Sequence, residues 1–115
     1  MSINRILFSI IALLIMSSSA SAVPFDHDYT VHGKVIGVVA TQSGDTICYV
    51  AVKDPNNDYY SGRYHALTDI NQCQTARMAY ALGLEAKLWG KVAEGNHSNK
   101  AVAVELYSGD AKWWN

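Results

Sequence analysis

The sequence predicts a mainly β domain, a barrel of five strands with one α-helix between the third and fourth. Three observations predict it. Five stretches carry the two-residue alternation or β-branched enrichment of strands, one stretch carries helical spacing, and short turn-forming segments join successive strands in both halves of the chain.

Tyr29–Ala40, YTVHGKVIGVVA, is rich in β-branched residues and reads as a long strand in which Gly33 and Gly37 suit a bend approached closely by another element. The turn signal TQSGD ends it. In TICYVAVK, Ile47, Tyr49, Ala51 and Lys53 alternate with Cys48, Val50 and Val52, which puts Cys48 on the more uniformly apolar, core-facing side. Five consecutive turn formers, DPNND, make a hairpin loop, and YYSGRYHALT then reads as strand, bulge, strand about Gly62. TDINQCQTARMAYALG, from Thr68 to Gly83, is the helix. Asp69 or Asn71 caps it, Cys73, Ala76 and Tyr80 recur at helical spacing with Ala79 and Leu82 on the adjoining row, and Gly83 terminates it. LEAKLWGKVA alternates strictly, with Leu84, Ala86, Leu88, Gly90 and Val92 on one face and Glu85, Lys87, Trp89 and Lys91 on the other. EGNHSN turns the chain into KAVAVELY, whose Val102, Val104 and Leu106 are expected to face inward, and the tail SGDAKWWN follows.

Strand, strand, strand, helix, strand, strand is the order of a five-stranded Greek-key barrel of the oligonucleotide/oligosaccharide-binding (OB-fold) type, with the helix plugging one end. A β-sandwich fragment, or a sheet with one packed helix, is the alternative for the same order.

Residues 1–22 combine Arg5, an apolar run from Ile6 to Met16 and the small-residue ending Ala20-Ser21-Ala22, the pattern of a secretory signal peptide. The apolar run is short for an uncleaved anchor. Cleavage before Val23 leaves residues 23–115, one secreted or periplasmic domain of 93 residues without a membrane span. Export places Cys48 and Cys73 where thiols oxidise, and two cysteines in a small exported chain favour a disulfide over a metal site or a nucleophile. Such a bridge would tie the start of the helix to the second strand.

Nine Lys and Arg, less Arg5, against ten Asp and Glu give the exported domain a formal charge of −2, with its basic residues scattered singly. Nucleic-acid binding draws its affinity from clustered basic residues, so no nucleic-acid partner is expected. His27, His32, His65 and His97 show none of the spacings by which one element holds a metal, and no nucleophile signature, phosphate loop or carboxylate pair is present. The expectation is a protein without enzymatic activity, metal or cofactor. Asp26-His27-Asp28 reads as a solvated arm, and Asn96-His97-Ser98 as turn chemistry rather than a glycosylation site.

Seven tyrosines and three tryptophans are many for so small a domain. Tyr59, Tyr60 and Tyr64 cluster on the expected third strand, a face such barrels use for ligands. Trp89 falls between Lys87 and Lys91 on the polar side of its strand, where its ring either stacks on a sugar or a neighbouring subunit, or is covered by a loop or the AKWWN tail. Trp113 and Trp114 are expected to dock against the barrel or a partner chain.

Gly37-Val38-Val39 with Thr41-Gln42 in the first strand, Cys48 in an aromatic-bearing second strand, Cys73 before a helix ending in glycine, and Lys87-Leu88-Trp89 together resemble the B subunits of subtilase cytotoxin and pertussis-like toxins, over Val31 to Tyr107. The resemblance implies a barrel that assembles as a homopentamer around a helix-lined pore, binds sialylated host-cell glycans and carries a separate catalytic A subunit. In those subunits a first-strand serine contacts the sialic acid; here His32 stands at that position, and the family's carboxy-terminal extension with a second disulfide is not matched. A shortened relative with another ligand fits both departures. The expected ligand contacts are His32, Tyr59, Tyr60 and Trp89. A monomeric periplasmic binding or inhibitor protein of the same barrel type is the alternative function.

Overall fold

The computed structural model describes residues 23–95 and 97–114, so the signal-peptide reading of residues 1–22 and the first residue of the NHS tripeptide lie outside the described residues. Strands β1 (Tyr29–Ser43), β2 (Thr46–Lys53) and β3 (Tyr64–Leu67) precede helix α1 (Ile70–Leu82), and β4 (Glu85–Lys91) and β5 (Lys100–Glu105) follow it. They close into a barrel in the spatial order β1-β2-β3-β5-β4, with β4 returning to β1. Every neighbouring pair is antiparallel except β3 and β5, which run parallel. The chain is therefore the expected OB-fold-like barrel.

Its core is filled from alternate positions. Val31 and Val35 of β1, Cys48, Val50 and Val52 of β2, Leu67 of β3, Ala86 and Leu88 of β4 and Ala101 of β5 point inward and are buried. Fully burying one valine or leucine contributes about 1.5–3 kcal/mol, so a handful of such side chains carries most of a small domain's stability.

Asp69 caps α1 in extended conformation, its side chain accepting the Asn71 and Gln72 N–H groups at 2.8 and 3.0 Å. Gly83 ends the helix at φ 67°, a left-handed conformation that glycine adopts without a Cβ penalty. The helix meets the barrel through Cys73, Ala76 and Ala79, small residues that allow a close approach. The Cys48–Cys73 disulfide, with Cα atoms 6.1 Å apart, fastens it there, and both cysteines are fully buried.

The structure corrects five sequence expectations. Tyr80 and Leu82 are exposed: the helix contacts the barrel through its small residues Cys73, Ala76 and Ala79, and Tyr80 and Leu82 both stand in its last turn, although Tyr80 continues the row of Cys73 and Ala76. The expected third strand keeps only its second half. Tyr59–Gly62 form turns because the Asn57 side chain accepts the Tyr60 N–H at 3.0 Å and Gly62 takes a positive φ of 74°. β1 runs on to Ser43, three residues past the expected end, and turns at Gly44. A register shift opposite Trp89 and Gly90 puts Ala101 into the core and leaves Val102 half-buried, so the inward set of β5 is not the simple alternation expected. Leu84 and Val92 fall beyond the ends of β4 and are exposed.

Candidate functional site

The four residues expected to contact a ligand divide between two places. Tyr59 and Tyr60, carried by the turns between β2 and β3, line a cleft of about 460 Å³ together with Arg63, Tyr64, His65 and the β4–β5 loop residues His97, Ser98 and Asn99. His32 and Trp89 do not line it.

The cleft is built on a side-chain network that crosses the barrel. Tyr29, on the inward side of β1 with Val31, reaches His65 of β3, its hydroxyl 2.6 Å from Nε2. Asn99 donates to the same hydroxyl at 3.0 Å. The other His65 ring nitrogen, Nδ1, lies 3.0 Å from the Arg63 carbonyl. Tyr60 stacks flat on Tyr29, ring centroids 3.6 Å apart, and Tyr59 meets Tyr60 edge-on at 4.7 Å. Gly90 provides the room for this arrangement, since a Cβ there would collide with the Tyr29 ring. Burial pushes the His65 imidazole below its ordinary value, opposed by its bond to the Arg63 carbonyl, and so favours the neutral ring. Burial also pushes the Tyr29 phenol up, with the Asn99 hydrogen bond opposing it and the neighbouring Tyr60 and Asp28 adding to it.

Above that network the cleft offers the exposed rings of Tyr59 and Tyr64 and the exposed Arg63, whose Nε donates to the Tyr59 carbonyl at 2.7 Å and whose guanidinium lies 5.1 Å from the Tyr59 ring centroid. Flat apolar faces beside a cation and amide donors suit a polar ligand with an apolar face, the surface character of a sugar ring. A second hollow, of about 720 Å³, adjoins it between the β1–β2 turn and the β4–β5 loop, sharing His97 and Ser98. It is larger but contains a single aromatic platform, the half-buried Tyr49, and its Lys91 is paired with Asp26. The smaller cleft therefore has the denser set of groups that could orient a ligand.

Trp89 is 5 % exposed, covered in the second of the two ways the sequence left open. Phe25 and His27 of the amino-terminal arm meet it edge-on at 5.0 and 4.6 Å, Trp113 of the tail closes the group at 6.4 Å, and Lys87 Nζ lies 4.3 Å from the ring centroid. Its indole N–H donates to Glu105 at 3.1 Å. The arm is fastened by an ion pair between Asp26 and Lys91 and by Asp28, which accepts the Val92 N–H at 2.8 Å and donates its own N–H to the Gly90 carbonyl at 2.8 Å. Asp26-His27-Asp28 is thus a strap on the barrel through His27 and these contacts, while the Asp26 and Asp28 side chains stay exposed as the sequence suggested. His32 stacks on Tyr107 at 5.2 Å, and its N–H donates to Asp54 at 2.9 Å.

The sequence pointed to Tyr59, Tyr60 and Tyr64 but not to Tyr29, His65 or Asn99. Strand parity held a signal for two of them: Tyr29 is in phase with the core residue Val31, and His65 with Leu67. Among the described residues no group of three or more His, Cys, Asp or Glu is placed to hold a metal ion, and no helix is long and apolar enough to cross a membrane.

No protein-family model matches the chain. No solved structure matches it. Protein p10 of Acyrthosiphon pisum secondary endosymbiont phage 1 is similar to it, 29 % identical over 112 residues that cover 95 % of this chain and 92 % of that protein.

Proposed function

We propose that the chain is an exported, non-enzymatic carbohydrate-binding domain, the receptor-binding B subunit of a bacterial toxin that assembles as a homopentamer and delivers a separate catalytic subunit. The observation that carries the binding part of this reading is the cleft in which Tyr59, Tyr60 and Tyr64 converge with Arg63 and Asn99. The toxin part rests on the resemblance of the strand, cysteine and helix motifs to toxin B subunits. Ile70, Met78, Tyr80 and Leu82 leave apolar surface exposed along the helix, which suits burial between subunits. Several shallow sites on one ring act by avidity, so each can be weak.

A glycan array tests the binding. The domain is expected to retain a small set of host-type glycans, and Tyr59→Ala and Arg63→Ala to weaken that retention by about tenfold or more, the effect of removing a central aromatic or arginine contact. Both side chains are exposed, so neither change disturbs the core. Retention unaltered by both would remove the cleft as the site.

A monomeric periplasmic binding or inhibitor protein is the second reading, and the closure of the barrel favours it: each strand has a neighbour on both sides within one chain, although β5 meets β3 at a single register pair. Light scattering on residues 23–115 separates the two, because a mass near one subunit is incompatible with a ring.

A further inference from the structure

We infer that Tyr29, His65 and Asn99 form an acid-sensitive latch, which holds the tyrosine cleft in shape at neutral pH and lets it loosen, releasing bound ligand, on acidification. The release part rests on the reading of this cleft as the binding site; the latch itself does not.

The latch lies where the barrel is joined most sparingly. β3 and β5 share a single register pair, Ala66 with Lys100, supplemented by the Ala66 N–H donating to the Asn99 carbonyl at 2.8 Å. The three side chains bridge that same seam, His65 from β3, Asn99 from the residue before β5, and Tyr29 from β1.

Each proton in the network has one place. A carbonyl only accepts, so the His65 nitrogen facing the Arg63 carbonyl, Nδ1, carries the hydrogen of the neutral ring. Nε2 is then an acceptor, and the Tyr29 hydroxyl donates to it. The hydroxyl oxygen in turn accepts from Asn99. Protonating Nε2 turns the acceptor into a second donor. The Tyr29 oxygen then faces two donors while its own hydrogen has lost its acceptor, in a place where His65 is 1 % exposed.

Little nearby would offset the new charge. The groups around the pair are Tyr29 of β1, Val50 opposite His65 on β2, Tyr60 of the turns, Arg63, and Asn99 with the exposed His97 of the β4–β5 loop. Asp28 acts on Tyr29 rather than hydrogen-bonding the ring, and neither hydrogen-bond partner of His65 is a carboxylate. Burial lowers the folded affinity of His65 for a proton. The opened or unfolded chain, with the ordinary value of about 6.5, therefore binds more protons in the interval between the two values. The latched form has its full advantage above about pH 6.5 and loses it as the pH falls through the lower, folded value.

The cleft inherits the change, because Tyr60 lies on the Tyr29 ring, Tyr59 leans on Tyr60, and His65 and Asn99 are themselves in its wall.

The test follows residues 23–115 by NMR from about pH 7.5 to about pH 4.5, the range in which histidine titrates. It reads the His65 ring nitrogens and the backbone amides of Tyr60 and Asn99, and measures the affinity for sialyllactose, a trisaccharide of the class the toxin resemblance implies. The amides are expected to shift together with the His65 ring. Affinity is expected to fall by up to about tenfold for each pH unit below about 6.5 and to level off once the pH has passed the lower, folded value. His65→Gln keeps an acceptor for Tyr29 and cannot titrate, so the ratio of its affinities at the two ends of the range is expected to be near one. Tyr29→Phe keeps the stacked ring and removes the hydroxyl, so its cleft amides are expected to show the acid-type positions already at neutral pH.

The latch is overturned if His65 titrates while the Tyr60 and Asn99 amides stay in place. It is equally overturned if the acid transition survives in His65→Gln and vanishes in His97→Ala, which would assign it to the exposed ring. Absence of sialyllactose binding at neutral pH would count against the sialylated-glycan reading and against ligand release, and the amide and ring titrations would still decide the latch.

Discussion

Reducing the Cys48–Cys73 bridge should remove about 3.5 kcal/mol of stability. The bridge spans 25 residues, and in the chain-entropy model a loop of that length restricts the unfolded ensemble by roughly 12 cal/mol/K, which gives about 3.5 kcal/mol at 25 °C. A domain of this size has roughly 5–14 kcal/mol in total, so the loss is a large share, comparable to deleting one or two core side chains. In urea, with a slope of about 1–2 kcal/mol per molar, the unfolding midpoint should fall by about 2–3 M, and the melting temperature by roughly 15–25 °C. Both sulfurs are buried, so reduction has to be carried out in denaturant before refolding. The assay is urea unfolding by circular dichroism of oxidised and reduced protein, with thiols counted in each sample. Because the effect acts on the unfolded chain, the slope should also steepen on reduction, when the denatured state can expand. A fully reduced sample with two titrated thiols and a midpoint shifted by under about 0.5 M would refute the reasoning.

The strap over Trp89 predicts that removing residues 23–28 shifts tryptophan emission to the red and raises acrylamide quenching, because Phe25 and His27 leave one side of the ring open; unchanged emission would show that the arm does not cover it. Trp89→Ala should destabilise by about 3–5 kcal/mol in urea unfolding, the range for a large buried aromatic, and a loss under about 1 kcal/mol would place the ring outside the packed structure. Asp69→Ala should lower stability by about 1 kcal/mol and Asp69→Asn by much less, since asparagine keeps an acceptor for the first-turn N–H groups; equal losses would mean that capping is not what Asp69 contributes.

The sequence by itself determined the strands, the helix and its limits, and the pairing of the two cysteines. Those features are local: a two-residue period in β2 and β4, an acceptor at Asp69, a glycine at the helix end in Gly83, and an even count of two cysteines in a small domain. Even there the reading failed where the alternation is interrupted, as at Val102, the extra residue of a register shift opposite Trp89 and Gly90, and at Tyr59 and Tyr60, which Asn57 draws into a turn. Only the tertiary structure decided what the aromatic residues do. Trp89 has a strand period that points it away from the core, and it is buried because the segment before β1 and the segment after β5 meet over it. Tyr29, His65 and Asn99 come together across separations of 36 and 70 residues. Strand parity can say that a tyrosine and a histidine face inward; which hydroxyl meets which ring nitrogen depends on how a closed barrel brings β1, β3 and the β4–β5 loop to one place, and no local pattern carries that distance.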